Sequence, residues 1–162
     1  VSASPPPNED DPPDPSRTTF LPVREVLEKS RTSLESMRQA VGRLPRSDDR
    51  DALACDRLDA LQGDLAEALG HYFESTPEPT RKERTQYTVE IPPALESPDA
   101  PADVEDAIAW TLTLTRFLRE RFQRLGDTAV AESLRETYRD LAELVSGFEK
   151  RIARIDEGRH DL

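Results

Sequence analysis

Cys55 is the only cysteine in 162 residues, so no disulfide can form within the chain and cysteine usage gives no support to secretion. Histidine is nearly as scarce, with only His71 and His160, which leaves few imidazoles for metal ligation or acid–base work near neutral pH. There is no Gly-rich phosphate loop, no Gly-x-Ser-x-Gly and no paired cysteine, which removes the usual signals for nucleotide binding, nucleophilic hydrolysis and thiol chemistry. No apolar run approaches the roughly 20 residues needed to cross a bilayer. No basic segment followed by an apolar one stands at the N-terminus, so no signal peptide is expected and the expected location is cytoplasmic. Positive charge is short as well. The net charge is −11 and the pI about 4.7. Nucleic acid and anionic membrane are therefore not expected as partners, because phosphate binding needs clustered Lys and Arg. Such acidity suits solubility or a basic protein partner. Lysine is limited to Lys29, Lys82 and Lys150, against nineteen arginines. A GC-rich bacterial genome is one reading of that ratio and adaptation to salt is the other.

Proline is present but unevenly placed. Pro5, Pro6, Pro7, Pro12, Pro13 and Pro15 crowd the N-terminus, and Pro77, Pro79, Pro92, Pro93, Pro98 and Pro101 crowd the middle. Between 46 and 76, and from 102 to the end, there is none. Proline inside a helix costs roughly 3 kcal/mol, so these gaps mark where long helices can run. Residues 1–18 are acidic, proline-rich and almost free of apolar side chains, and are expected to form a disordered or extended arm. Residues 19–162 are expected to form one domain. Its hydrophobic fraction of 35% and charged fraction of 34% fit a helical bundle with solvated outer faces.

Hydrophobic periodicity places four helices. The first is expected over about 22–43, with Val23, Leu27, Leu34, Met37, Val41 and Leu44 on one stripe and Ser30 as its polar member. The second is expected over about 48–75, with Ser47 or Asp48 able to cap it. Its stripe is Ala54, Leu58, Leu61, Leu65, Ala68 and Tyr72, widened by Leu69 and Phe73. The third is expected over about 103–125, opened by Asp103 with Asp106 three residues on and closed by Gly126. Val104, Ile108, Leu118, Phe122 and Leu125 form its stripe, with Thr111 and Thr115 in the middle. The fourth, over about 128–156, carries the longest unbroken pattern: Val130, Leu134, Tyr138, Leu141, Val145, Phe148, Ile152 and Ile155. Residues 76–102 form a crossover. In it Tyr87, Val89 and Ile91 alternate with polar residues, the period-two pattern of an extended stretch with one face buried.

Short links between helices one and two, and between three and four, make each pair an antiparallel hairpin. A long link between two and three lets those helices lie parallel. The expected fold is an all-α, antiparallel four-helix bundle of ferritin-like topology with one long crossover. This layout, with a proline-bearing crossover holding the stretch TQYTVEIP and a long last helix, resembles small bacterial ferritin-like, rubrerythrin-like proteins over residues 20–157. The resemblance implies a di-iron centre built from a Glu on each of two helices and a Glu-x-x-His on each of the other two.

This chain departs from that ligand set. Glu67 and His71 on the second helix are four apart, not three. Glu157-Gly158-Arg159-His160 has the spacing, but Glu157 lies about 200° from Ile155 and so off the stripe. The stripes hold Ser30, Thr111 and Thr115 as their polar members and no carboxylate. Glu25, Glu28, Glu35, Glu120, Glu132 and Glu136 all fall off them, where a solvated face with Arg partners is expected. No catalytic, cofactor-binding or metal residue is therefore expected, and no cofactor. If a metal, iron or another divalent ion, is bound through atypical ligands, the candidates are Glu67, His71, Glu132 and Glu136. Cys55 reads as a small buried filler and His71 as a group near a helix C-terminus. The functional expectation is a non-enzymatic interaction or accessory protein with a degenerate ferritin-like core, binding a protein partner through residues 1–18. The alternative is a ferritin-like metal-binding protein for iron oxidation, storage or electron transfer. Broad apolar faces on the second and third helices also suit a homodimer.

Overall fold

A computed structural model describes residues 19–75, 88–129 and 132–160. The arm expected over 1–18, and Tyr87, lie outside the described residues. Among those residues the elements are β1 (Thr19–Pro22), α1 (Val23–Gly42), α2 (Asp49–Ser75), β2 (Thr88–Ile91), α3 (Pro93–Glu96), α4 (Val104–Thr128) and α5 (Glu132–His160). The fold is all-α in its mass, with four main helices packed as two antiparallel hairpins. Arg38 of α1 meets Asp59 of α2 at 3.0 Å. Glu149 of α5 meets Arg116 and Arg119 of α4 at 3.1 and 3.3 Å.

The return from α2 to α4 climbs the side of the bundle. β2 pairs antiparallel with β1, Thr19 opposite Ile91 and Pro22 opposite Thr88, which ties the crossover to the start of α1. Lys29 Nζ then donates to Glu96 Oε1 at 2.6 Å, Ser33 Oγ to the Glu96 carbonyl at 2.9 Å, and Trp110 Nε1 to the Ala94 carbonyl at 2.9 Å. Pro98 to Pro101 reach the last turns of α1, beside Met37, Ala40 and Arg43. α4 therefore begins where α1 ends, runs antiparallel to α1 and parallel to α2, and completes the one-crossover bundle. Ile91 of β2 and Leu95 of α3 are buried in this strap while Glu90 is half-buried; the side chain of Val89, expected on the buried face with Ile91, lies outside the described residues.

Sequence and structure differ in four places. The first four-residue strand, β1, precedes α1, and Pro22 closes it rather than opening the helix. α3 forms among the prolines because Pro93 stands at its first position, where a missing N–H costs nothing. Gly126 does not close α4. It is buried within the helix, where a Cβ would meet the Arg139 stem at 3.0 Å, and the helix ends two residues later with the Ala129 amide bonded to the Leu125 carbonyl at 2.9 Å. Consequently α5 starts at Glu132 and not at 127 or 128: Thr128 still belongs to α4 and its hydroxyl bonds back to the Arg124 carbonyl at 2.9 Å. The caps expected for the other starts do form. Asp48 Oδ1 accepts from the Asp51 amide at 2.8 Å. Asp103 Oδ1 accepts from the Asp106 amide at 2.9 Å, and Asp106 reaches back to the Ala102 amide at 3.0 Å.

The core is aliphatic along its length. Leu27 and Leu34 of α1, Leu58, Leu65 and Leu69 of α2, Ile108, Leu114, Leu118 and Phe122 of α4, and Leu141, Val145 and Ile152 of α5 are all at most 1% exposed. Much of the apolar faces of α2 and α4 is thus buried within the chain's own bundle, while Tyr72, Trp110, Phe117 and Leu125 stay half-buried. Leu53 is the one large apolar side chain fully exposed among the described residues, at 51%.

Candidate functional site

The interior of a four-helix bundle is where side chains from several helices converge, and so where a site would be built. Among the described residues five polar side chains are buried: Ser30 and Ser33 of α1, Gln62 of α2, and Thr111 and Thr115 of α4. Ser30, Thr111 and Thr115 stand on the stripes at which their spacing placed them. Ser33 and Gln62 were not singled out, although each shares a stripe position with its neighbours: Ser33 lies four before Met37, and Gln62 lies four after Leu58 and three before Leu65.

Two of these groups satisfy themselves locally. Thr111 Oγ1 donates to the Ala107 carbonyl at 2.7 Å and Thr115 Oγ1 to the Leu112 carbonyl at 2.9 Å, the back-bonding that lets threonine sit within a helix. Gln62 Nε2 donates to Thr111 Oγ1 at 2.9 Å and so joins the parallel helices α2 and α4. Gln62 Oε1 and Ser30 Oγ are buried without a hydrogen-bond partner among the described residues. Hydroxyls and an amide neither titrate near neutral pH nor provide the charged oxygen donors of a ferritin-like iron site. This layer can fix helix register. It offers no base, no nucleophile activated by one, and no charged ligand.

The metal candidates face the other way. Glu67 and His71 lie on the exposed face of α2, and Glu132 and Glu136 on the exposed face of α5. His71 meets the Tyr72 ring edge-on at 6.3 Å. Glu25, Glu28, Glu35 and Glu120 are exposed too, and two of them make the surface pairs expected of a solvated face, Glu28 with Arg31 at 3.7 Å and Glu35 with Arg38 at 3.5 Å. Among the described residues no three His, Cys, Asp or Glu side chains gather closely enough to hold a metal ion. Glu157 is exposed, and the side chain of His160 lies outside the described residues. The donor set present does not fit the di-iron centre that the layout implies. Cys55 is fully buried, as a small apolar filler would be.

Among the described residues, charge enters the bundle at the seams between helices. Glu149, whose side chain is 14% exposed, is gripped by Arg116 and Arg119 and clamps α5 to α4. On the other hairpin the hydrogen bond to Asp59 raises the Arg38 pKa above its ordinary value. Both are structural pairs at helix seams. No protein-family model, curated protein or solved structure matches this chain.

Proposed function

We propose that this chain is a non-enzymatic interaction or accessory protein: a bundle of ferritin-like layout with a degenerate core, which binds a protein partner through the acidic, proline-rich residues 1–18. The observation that carries this reading is the identity of the inward-facing polar side chains. Where a metal-binding bundle would point carboxylates and imidazoles, this one points Ser30, Gln62, Thr111 and Thr115, and its Glu67, His71, Glu132 and Glu136 face solvent. The sequence of the arm supports the rest. Proline pre-orders an extended chain and lowers the entropy lost on docking, and Glu9, Asp10, Asp11 and Asp14 suit a basic surface.

The test is affinity capture from the source cell's own extract with the full chain and with a version lacking residues 1–18. The expected result is a stoichiometric protein partner that is lost with the arm, while the circular dichroism and melting of the bundle stay unchanged. Metal content of the full chain, expressed with ample iron, manganese and zinc and then desalted, is the counter-test. About two tightly held ions per chain, lost on substitution of Glu67, His71, Glu132 or Glu136, would replace this reading with the metal-binding alternative.

A further inference from the structure

Three helix glycines in this protein serve as seats for arginine, while Gly42 and Gly158, at or near helix ends, meet nothing. A Cβ on Gly63 would meet Arg38 Cζ at 3.0 Å, one on Gly70 would meet Arg31 Cζ at 3.1 Å, and one on Gly126 would meet the Arg139 stem at 3.0 Å. In each case the arginine comes from the antiparallel neighbour helix. The best-defined seat also supplies the counter-charge: Arg38 lies over Gly63 and bonds Asp59 at 3.0 Å, one turn before that glycine.

Gly147 repeats this arrangement with the seat open. It lies in the middle of α5, is exposed, and a Cβ there would meet nothing within 4 Å. A mid-helix glycine costs roughly 0.5–1 kcal/mol relative to alanine, and no packing among the described residues accounts for it. Glu143 stands one turn before it, as Asp59 does before Gly63. Glu143, Leu144, Gly147, Phe148 and Arg151, with Tyr72 of α2, line a groove of about 450 Å³.

The stripe through Gly147 is a charge palindrome. Asp140, Glu143, Gly147, Arg151 and Arg154 follow one another at steps of three, four, four and three, so they share one face of α5, and all five are exposed. Acids lie before the glycine and arginines after it, at equal distances. Asp140, Glu143 and Arg154 have no ion-pair partner among the described residues, and Arg151 lies over the Phe148 ring at 5.4 Å, above the turn that holds Gly147.

We propose that this face of α5 is the interface of a two-fold homodimer, in which the α5 helices of two copies cross antiparallel at Gly147. A two-fold axis there sets residue n opposite residue 294 − n. Glu143 then meets Arg151 of the second copy and Asp140 meets Arg154, each pair occurring twice, as an isologous contact requires. Arg151 of each copy passes over the other's Gly147 to reach Glu143, which repeats the Arg38–Gly63–Asp59 seat. The half-buried Leu144 and Tyr72 supply apolar contact beside the charges. This surface is distinct from the arm and from the apolar faces of α2 and α4, and the inference does not rest on the function proposed above.

Sedimentation equilibrium of the full chain over a concentration series tests it, with Glu143→Arg, Arg151→Glu and the double variant alongside. The wild type is expected to dimerise. Each single reversal sets like charges opposite twice and should weaken the dimer roughly tenfold. The double variant inverts both pairs and should restore it. Asp140→Arg with Arg154→Glu gives a second, independent charge swap. A wild type that stays monomeric into the millimolar range, a dimer indifferent to the single reversals, or a double variant as weak as its parents would overturn the proposal.

Discussion

Replacing Gln62 by leucine should make this protein more stable, although it deletes a buried hydrogen bond. Gln62 is wholly buried, donates through Nε2 to Thr111 Oγ1 at 2.9 Å, and leaves Oε1 unpartnered among the described residues. Turning the amide over exchanges an orphaned oxygen for an orphaned NH2, so neither orientation cures the defect. A buried polar atom without a partner costs about 1–3 kcal/mol, whereas the bond that would be lost contributes about 0.5–1.5 kcal/mol. Thr111 keeps its own bond to the Ala107 carbonyl, so the substitution strands no donor. Leucine nearly matches glutamine in volume, and its neighbours on the stripe, Leu58 and Leu65, are fully buried.

The net expectation for Gln62→Leu is a gain of about 1–2 kcal/mol, read as a higher urea midpoint at unchanged slope and a melting temperature about 2–8 °C higher for a chain of this size. Gln62→Ala keeps the gain from removing the orphan but opens a cavity, and should cost about 2 kcal/mol or more. A leucine variant less stable than wild type by about 1 kcal/mol or more would refute the reasoning. Oε1 would then be fully bonded in solution, through a water held in the core, and the polar layer would be a source of stability rather than a cost carried for helix register.

Other substitutions test the remaining parts. Leu95→Ala, which empties the anchor of the crossover strap, should cost about 2–4 kcal/mol and shift the emission of Trp110, the only tryptophan, to the red; unchanged emission would mean that the strap does not depend on Leu95. Asp48→Ala and Asp103→Ala each remove a cap bond and should each lower unfolding free energy by about 1 kcal/mol, adding when combined because they cap different helices. Gly147→Ala should stabilise the monomer by about 0.5–1 kcal/mol at a dilution where any dimer dissociates, since a methyl there meets nothing. Gly63→Ala should gain less or lose outright, because its methyl displaces the guanidinium of Arg38 from Asp59; equal gains at both positions would show that the arginine seat carries no weight.

Long-period patterns were legible in the chain and short, cooperative features were not. The four main helices follow from apolar spacing and from where proline is missing, because both act over five or more turns. β1 is four residues long and is stabilised by pairing with β2 about seventy positions on, which no local pattern announces, whereas the period-two run at Tyr87, Val89 and Ile91 marks β2 as extended. α3 hides because Pro93 reads as a breaker until its place at the first helical position is known. Gly126 reads as a stop for the same reason: only the packing of Arg139 against it reveals that the glycine fits a neighbour and not a turn. In the interior, Thr111 and Thr115 were visible as polar members of a stripe. Gln62 stood on an equally apolar stripe but adjoins Gly63 and Asp64, and the run Gln-Gly-Asp reads as solvent-facing until Gly63 is known to lie under Arg38.

The arginine seats bear on the ratio of nineteen arginines to three lysines. Genome composition alone would scatter arginine over exposed positions, where the two residues are nearly equivalent. In this fold Arg38 and Arg31 lie flat over Gly63 and Gly70, and Arg116 and Arg119 share one carboxylate between them. A planar guanidinium can rest on a glycine and still present N–H groups to an acid at its edge, which the compact ammonium of lysine cannot do. The glycine gives up helix propensity, and the arginine recovers it by packing its flat face where a Cβ would stand while its edge holds the neighbouring helix in register. The α1–α2 hairpin seats a guanidinium on glycine in this way at both Gly63 and Gly70, so the preference for arginine is partly a property of the fold. Gly147 and its flanking charges offer the same device on the outside of the bundle, where the helix that completes it has to come from another molecule.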